Sequence, residues 1–265
     1  MTMAKRVITT IIGLPLLIAV IYLGGLWLRV GLLLLSAIGL FEFYRALSGK
    51  NSLIHLTGYF FSAIYFLLIV DAEIRAHLLI ILSAFVLLTI VTTVIFYQKI
   101  KFVDCLVTIS GFFYIPFLLS FIYFVRDSSV YFVWLIFTSA SASDTFAYFA
   151  GRKFGRRKLE GTPSPGKTWE GCLGGVLGAA LVGFIYGQVV IHFIGIEHPI
   201  VLNAMAISAV GAIFSQFGDL FASAVKRSVG IKDFGKILPG HGGILDRFDG
   251  IMIAAPVVYM VMIFI

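Results

Sequence analysis

The sequence predicts an all-α, polytopic integral membrane protein with about nine transmembrane helices. Three observations carry that prediction. The 265 residues have a mean hydropathy of +1.04 and only 12% charged side chains, where a soluble domain carries roughly a quarter. The apolar runs are continuous rather than alternating and reach the ~20 residues a helix needs to cross a bilayer. Lipid tolerates only helices or closed barrels, and continuous runs select helices. Lastly, nine spans with the N-terminus inside place 17 of the 20 Lys and Arg on one side, leaving only Arg29, Arg75 and Arg126 on the other. This is the positive-inside pattern, which assigns the basic loops and the N-terminus to the cytoplasm and the C-terminus to the outside. The net charge of +7 is thereby explained by membrane orientation, and no nucleic-acid partner is expected.

Taken in order, the spans cover 8–28, 30–47, 56–71, 76–97, 103–125, 129–150, 168–195, 200–225 and 244–265. They group into 1–75 (helices 1–3), 76–150 (helices 4–6) and 151–265 (helices 7–9 with their cytoplasmic loops). The first run exceeds a signal-peptide core of roughly 7–15 residues and lacks a cleavage site, so it stays as a span. Trp27 sits at an interface, where aromatic side chains collect. Glu42 and Arg45, three apart on one face of the second span, read as a snorkelling or paired couple near the headgroups. Asp71, Glu73, Arg75, Arg126 and Asp127 read as outer turns, and Pro116 as a kink that neighbouring helices support. His55, His77, His192 and His198 stand alone and read as interfacial or solvated. Cys105 and Cys172 lack ligand spacing and fall near cytoplasmic span ends, where thiols stay reduced.

The chemistry begins in the sixth span. TSASASDTFAYFAGRKF surrounds one acid, Asp144, with small hydroxylated residues. A carboxylate at membrane depth costs several kcal/mol unless paired or hydrated, which makes it a functional candidate. Ser141 and Tyr148 share its face. The loop that follows contains GTPSPGKT, a letter-for-letter match to the phosphate-binding G-x-x-x-x-G-K-[ST] pattern. That motif needs a strand before it and a parallel sheet around it, so a helix-bundle context excludes the fold. Ser164-Pro165 reads as an N-cap with proline in the first helical position. Lys167 would then stand in the first turn of the seventh span, beside free amides that favour an anion. Gly171, Gly174, Gly175 and Gly178 allow another helix to approach closely.

The remaining polar residues converge on 215–250. On a helix, Asp219, Ser223 and Lys226/Arg227 form one polar stripe. Asp246 and Asp249, three apart, share a face at the start of the last span. Between these helices lies an irregular Gly/Pro loop with Lys232, Asp233, Lys236 and His241, in which Asp233 and Lys236 can be plain solvated charges. Asp144, Asp219, Asp246 and Asp249 could surround a hard cation with oxygen ligands. Mg²⁺, held by one or two carboxylates plus substrate phosphates, is the usual occupant of such a set.

The runs S-x-V-K-R at 223–227, K-D-x-G at 232–235 and L-P-x-H-G-G-I-x-D-R-F-D at 238–249 resemble the C-terminal motif of the phosphatidate cytidylyltransferases, or CDP-diacylglycerol synthases. SASDTFAYFAGRKFG and SPGKTWEG resemble the same family. The matched motifs cover about 138–250, whereas 1–137 resemble it only in hydropathy. The resemblance implies that CTP and phosphatidate react to give CDP-diacylglycerol and pyrophosphate at the cytoplasmic face of a bacterial inner membrane. Asp219, Lys226, His241, Asp246 and Asp249 would then be catalytic, with Asp144, Asp219, Asp246 and Asp249 as metal ligands. Ser223, Arg227, Lys232, Arg247 and Lys167 would bind substrate phosphates. Similarity to the family also implies a homodimer.

Two alternatives use the same residues. A CTP-dependent lipid-alcohol kinase would move the γ-phosphoryl group instead of the nucleotidyl group. An ion-coupled transporter would place its acids near the bilayer midplane within inverted repeats. No repeat is visible, and the acids lie with bases toward one face.

Overall fold

The computed structural model describes residues 3–48, 52–69, 77–194, 200–237 and 242–265, without the side chains of 3–10, 12 and 194. Lys50, the expected outer turn with Asp71, Glu73 and Arg75, and also His198 and His241, lie outside the described residues. Among the described residues there are nine helices and no strand beyond an isolated bridge. They are α1 (Met3–Leu23), α2 (Gly25–Ser48), α3 (His55–Leu68), α4 (Leu78–Ile95) and α5 (Phe102–Ser128). After these come α6 (Val133–Phe154), α7 (Trp169–Ile194), α8 (Ile200–Ser228) and α9 (Leu245–Phe264).

Six of them (α2, α4, α5, α7, α8 and α9) are long and apolar enough to cross a membrane, while Gly13–Leu23 and His55–Leu68 are shorter apolar helices. The protein is a polytopic helical membrane protein. Helix α6 has 22 residues but exchanges part of its apolar surface for the hydroxylated run around Asp144. Pro116 does interrupt α5, and the chain passes it with a π-helical turn over Phe113–Phe117. The wider turn accommodates the proline ring without ending the helix.

The chain forms two compact units: Met1–Tyr123 with Asp233–Asp246, and Phe124–Lys232 with Arg247–Ile265. The first unit packs around aromatic side chains. Tyr44, Tyr65, Phe66, Phe85 and Phe112 are all fully buried, and the Phe85 and Phe112 rings lie 4.4 Å apart. His55 is not the interfacial or solvated histidine expected. It is 2% exposed, stacks on Tyr44 at 4.2 Å and shares a 2.9 Å hydrogen bond with Thr108 Oγ1. A stacked ring and a hydroxyl on Nδ1 therefore enclose an imidazole that sequence position alone places toward water. His77 and His192 are exposed, as expected.

The second unit is held by small residues instead. A Cβ placed on Gly175 would lie 2.8 Å from both Ser143 O and Gln216 Nε2, and one on Gly187 would lie 2.7 Å from Val201 Cα. Gly171 would meet Ala147 O at 3.0 Å. Helices α6, α7 and α8 therefore approach through glycines, the packing that lets backbones come close where lipid offers no hydrophobic drive. Helices α8 and α9 cross in the same way, since a Cβ on Gly218 would lie 2.6 Å from Asp249 O.

Candidate active site

The second unit gathers carboxylates from three helices. Asp144 comes from the polar run of α6, Asp219 from α8 and Asp249 from α9. Each is within electrostatic reach of the other two. Placement follows from local packing: Gly218 and Gly250 allow α8 and α9 to touch, which sets Asp219 beside Asp249. Basic groups balance the acids. Lys167 Nζ is ion-paired with Asp219 Oδ2, Lys167 and Arg247 face Asp144, and Lys226 faces Asp249. Lys226 is only 9% exposed, so its charge is directed inward rather than spent on lipid headgroups. Ser223 is half-buried one turn beyond Asp219, while Arg227, Lys232 and Arg247 are exposed. Arg227 donates to Ile231 O at 3.4 Å, which secures the end of α8.

A cleft of about 400 Å³ opens between α6 and the α7 entry loop, lined by Asp144, Tyr148, Arg152, Lys167, Cys172 and Gln216 among others. Gln216 is a residue that the sequence reading missed. Its amide donates to Ser143 Oγ at 2.9 Å and to Cys172 O at 3.0 Å, tying α8 to both α6 and α7. The signal was its position three residues before Asp219, on the same helical face. Both cysteines are free thiols.

The loop that delivers Lys167 differs from expectation at its end. Ser164 does not cap α7. Leu159 N donates to Lys167 O at 2.9 Å and Trp169 N to Arg157 O at 3.0 Å, so Ser164-Pro165-Gly166 turns back within a small hairpin. The cap is Thr168, whose Oγ1 accepts from Gly171 N at 3.1 Å. Glu170 accepts from Arg156 N at 3.1 Å and Arg157 N at 3.2 Å, closing the hairpin's other arm. Lys167 therefore precedes the helix rather than standing in its first turn. Among the described residues no strand leads into the glycine-rich run, which agrees with excluding a P-loop fold.

The first unit contains the remaining acid, Asp246. Its Oδ2 accepts from Phe234 N at 2.9 Å and Gly243 N at 3.0 Å. Beside it, Glu42 of α2 accepts from Ile244 N at 3.1 Å and Leu245 N at 2.9 Å. Two carboxylates thus satisfy four amides of the 233–246 segment and cap the start of α9, where helix geometry leaves N–H groups without partners. Glu42 is not the expected headgroup-level partner of Arg45; it is 2% exposed and holds this backbone. The glycines of the motif leave room for it, since a Cβ on Gly243 would lie 2.5 Å from Glu42 Oε2.

Among the described residues no group of three or more His, Cys, Asp and Glu side chains is placed to hold a metal ion. The donor set is instead a few carboxylate oxygens interleaved with cations. One or two of these carboxylates, together with substrate phosphates, could hold Mg²⁺.

The sequence model of the Cytidylyltransferase family matches residues 4–265. A phosphatidate cytidylyltransferase of Staphylococcus haemolyticus is 33% identical over 269 residues, covering 98% of this chain and 99% of that protein. One of Staphylococcus saprophyticus is 33% identical over 272 residues with the same coverage. One of Thermotoga maritima is 44% identical over 149 residues, 56% of this chain and 55% of that protein. The chain belongs to the cytidylyltransferase family, and is by that membership a nucleotidyltransferase.

Proposed function

We propose that this protein transfers the cytidylyl group of CTP to phosphatidate, releasing pyrophosphate and forming CDP-diacylglycerol. The supporting observation is the cluster of Asp144, Asp219 and Asp249 with Lys167, Lys226 and Arg247 in an otherwise apolar helix bundle. In the reaction, an oxygen of the lipid phosphate bonds to the α-phosphorus of CTP, and the bond from that phosphorus to the bridging oxygen breaks. The electron pair leaves on pyrophosphate. The nucleophile is already an anion, so no strong general base is required. The difficulty is bringing two polyanions together, and fixed cations aimed at the developing charge lower that barrier.

Lys167 and Lys226 hold phosphate oxygens, and Ser223, Arg227, Lys232 and Arg247 are assigned to the same substrate phosphates. The Lys167–Asp219 ion pair keeps both charges neutralised until the triphosphate arrives and gives Lys167 a new partner. Asp144, Asp219, Asp249 and Asp246 are the candidate ligands of Mg²⁺, which when bound would supply Lewis-acid stabilisation of the phosphoryl oxygens. His241 is assigned to the departing pyrophosphate. The basic distribution supports a cytoplasmic active-site face and N-terminus and an external C-terminus, and the bacterial relatives support residence in a bacterial inner membrane. Resemblance to the family supports a homodimer.

The test is incubation of the purified protein with phosphatidate, CTP and Mg²⁺ in detergent micelles. The reading expects CDP-diacylglycerol in the organic phase and an equal amount of pyrophosphate in water. CDP with a newly phosphorylated lipid when diacylglycerol replaces phosphatidate would establish the kinase alternative, and no turnover with phosphatidate would remove the proposal.

A further inference from the structure

Outside the acid cluster, a hollow of about 910 Å³ lies against the end of α6 and the start of α7. Lys153, Arg156, Arg157, Phe154, Trp169 and Glu170 contribute to its walls. Glu170 is the lone acid among them, and its carboxylate is engaged by the Arg156 and Arg157 amides. Those bonds use backbone, so both guanidinium groups remain exposed above a fixed turn. Lys153 Nζ rests 5.3 Å from the centroid of the Phe154 ring. Three cations therefore share one wall with two large aromatic side chains, Phe154 and Trp169, each 59% exposed.

A soluble anion would need only the cations. The apolar part of the hollow continues in one direction: Leu173, Leu177 and Leu181 follow Trp169 at four-residue steps, and all are exposed. Each step turns only about 40° on a helix of 3.6 residues per turn, so they form one sloping stripe of α7. At 1.5 Å per residue the stripe from 169 to 181 runs for about 18 Å, the scale of one leaflet of a bilayer's ~30 Å hydrocarbon core. A cationic cup with an aromatic rim at the head of an apolar track is complementary to one class of molecule, a diacyl lipid with a phosphate headgroup.

We propose that this hollow is a binding site for an anionic glycerophospholipid of the surrounding leaflet, with the headgroup phosphate on Arg156, Arg157 and Lys153 and an acyl chain along the α7 stripe. It is distinct from the acid-lined cleft, and its occupation needs neither CTP nor metal. The inference is independent of the reaction assigned above.

The test uses the full chain with Trp27→Phe and Trp134→Phe, which leaves Trp169 as the sole tryptophan. The protein is placed in phosphatidylcholine nanodiscs doped with phosphatidylglycerol carrying brominated acyl chains, and Trp169 quenching is followed. Quenching is expected to saturate at a small mole fraction of the anionic lipid, while brominated phosphatidylcholine quenches only in proportion to its abundance. Arg156→Gln with Arg157→Gln should raise the half-saturating mole fraction by roughly tenfold or more, from the attraction each cation exerts near an anionic surface. The Arg→Lys pair should keep most of the affinity and serves as the folding control. Identical curves for the two brominated lipids would overturn the proposal. So would displacement of the lipid by millimolar inorganic phosphate, which would make the hollow a free-anion site. Absence of quenching by either lipid, with Leu173→Cys forming a cross-linked dimer, would show that a second copy covers the stripe instead.

Discussion

The carboxylate of Glu42 accepts the backbone N–H of Leu245 at 2.9 Å, joining side chain and amide across 203 positions of the chain. Its other oxygen takes Ile244 N at 3.1 Å. Both oxygens are thus used, and an amide in place of the acid could satisfy only one. Glu42→Gln is expected to destabilise the protein by about 1–3 kcal/mol, the penalty for a buried donor without its acceptor, and Glu42→Ala by more. Gly243→Ala should act through the same contact, by crowding the carboxylate. Thermal unfolding in detergent checks all three. Unchanged midpoints would mean that the loop holds its shape without Glu42.

Lys167 and Asp219 form an ion pair whose side chains are 28% and 33% exposed. A pair that open to water contributes only about 0–1 kcal/mol to stability. Lys167→Met should therefore leave the unfolding midpoint nearly unchanged while turnover falls by about 10²-fold or more, through loss of a phosphate-facing cation. Parallel calorimetry and initial rates test the split. A large loss of stability with normal turnover per folded molecule would make Lys167 a structural residue.

Glycines separate by what surrounds them. Gly175 faces Ser143 O and Gln216 Nε2 at 2.8 Å, whereas a Cβ on Gly13 meets nothing within 4 Å. Gly175→Val should force α6, α7 and α8 apart, costing about 1–3 kcal/mol or preventing folding. Gly13→Val should be neutral. Yield of monodisperse protein by size exclusion distinguishes them, and equal yields would contradict glycine-mediated packing in the second unit.

Thr168 offers a smaller test. Its Oγ1 caps α7 through Gly171 N at 3.1 Å, and Thr168→Ala should cost about 1 kcal/mol. Ser164→Ala should cost less, because Ser164 sits in a turn ahead of the helix. The reverse order, read from unfolding midpoints, would restore Ser164 as the cap.

These cases show where a sequence is informative and where it is silent. Asp144 and Asp219 were legible because a carboxylate in an apolar helix is expensive and stands out against its neighbours. Glu42 carries the same signal but also has Arg45 three residues away, a local partner that accounts for it. Its actual partners lie beyond position 240, and no periodicity reaches that far. The cap at Thr168 was hidden for a related reason. Ser164-Pro165 is a sound local start signal, yet the hairpin pairing of Leu159 with Lys167 delays the helix. His55 resembled an interfacial histidine until Tyr44 and Thr108 enclosed it. Helices and lone acids follow from local energetics, whereas caps and buried polar partners depend on which distant segment arrives.

The central claim is that Asp144, Asp219 and Asp249 act together in cytidylyl transfer. The most direct measurement is the rate of CDP-diacylglycerol formation against Mg²⁺ concentration for the wild type and for Asp219→Asn and Asp249→Asn, each verified as folded by circular dichroism. Mg²⁺-dependent turnover is expected in the wild type, with a loss of at least about 10²–10³-fold in each variant. Wild-type rates in both folded variants would contradict it.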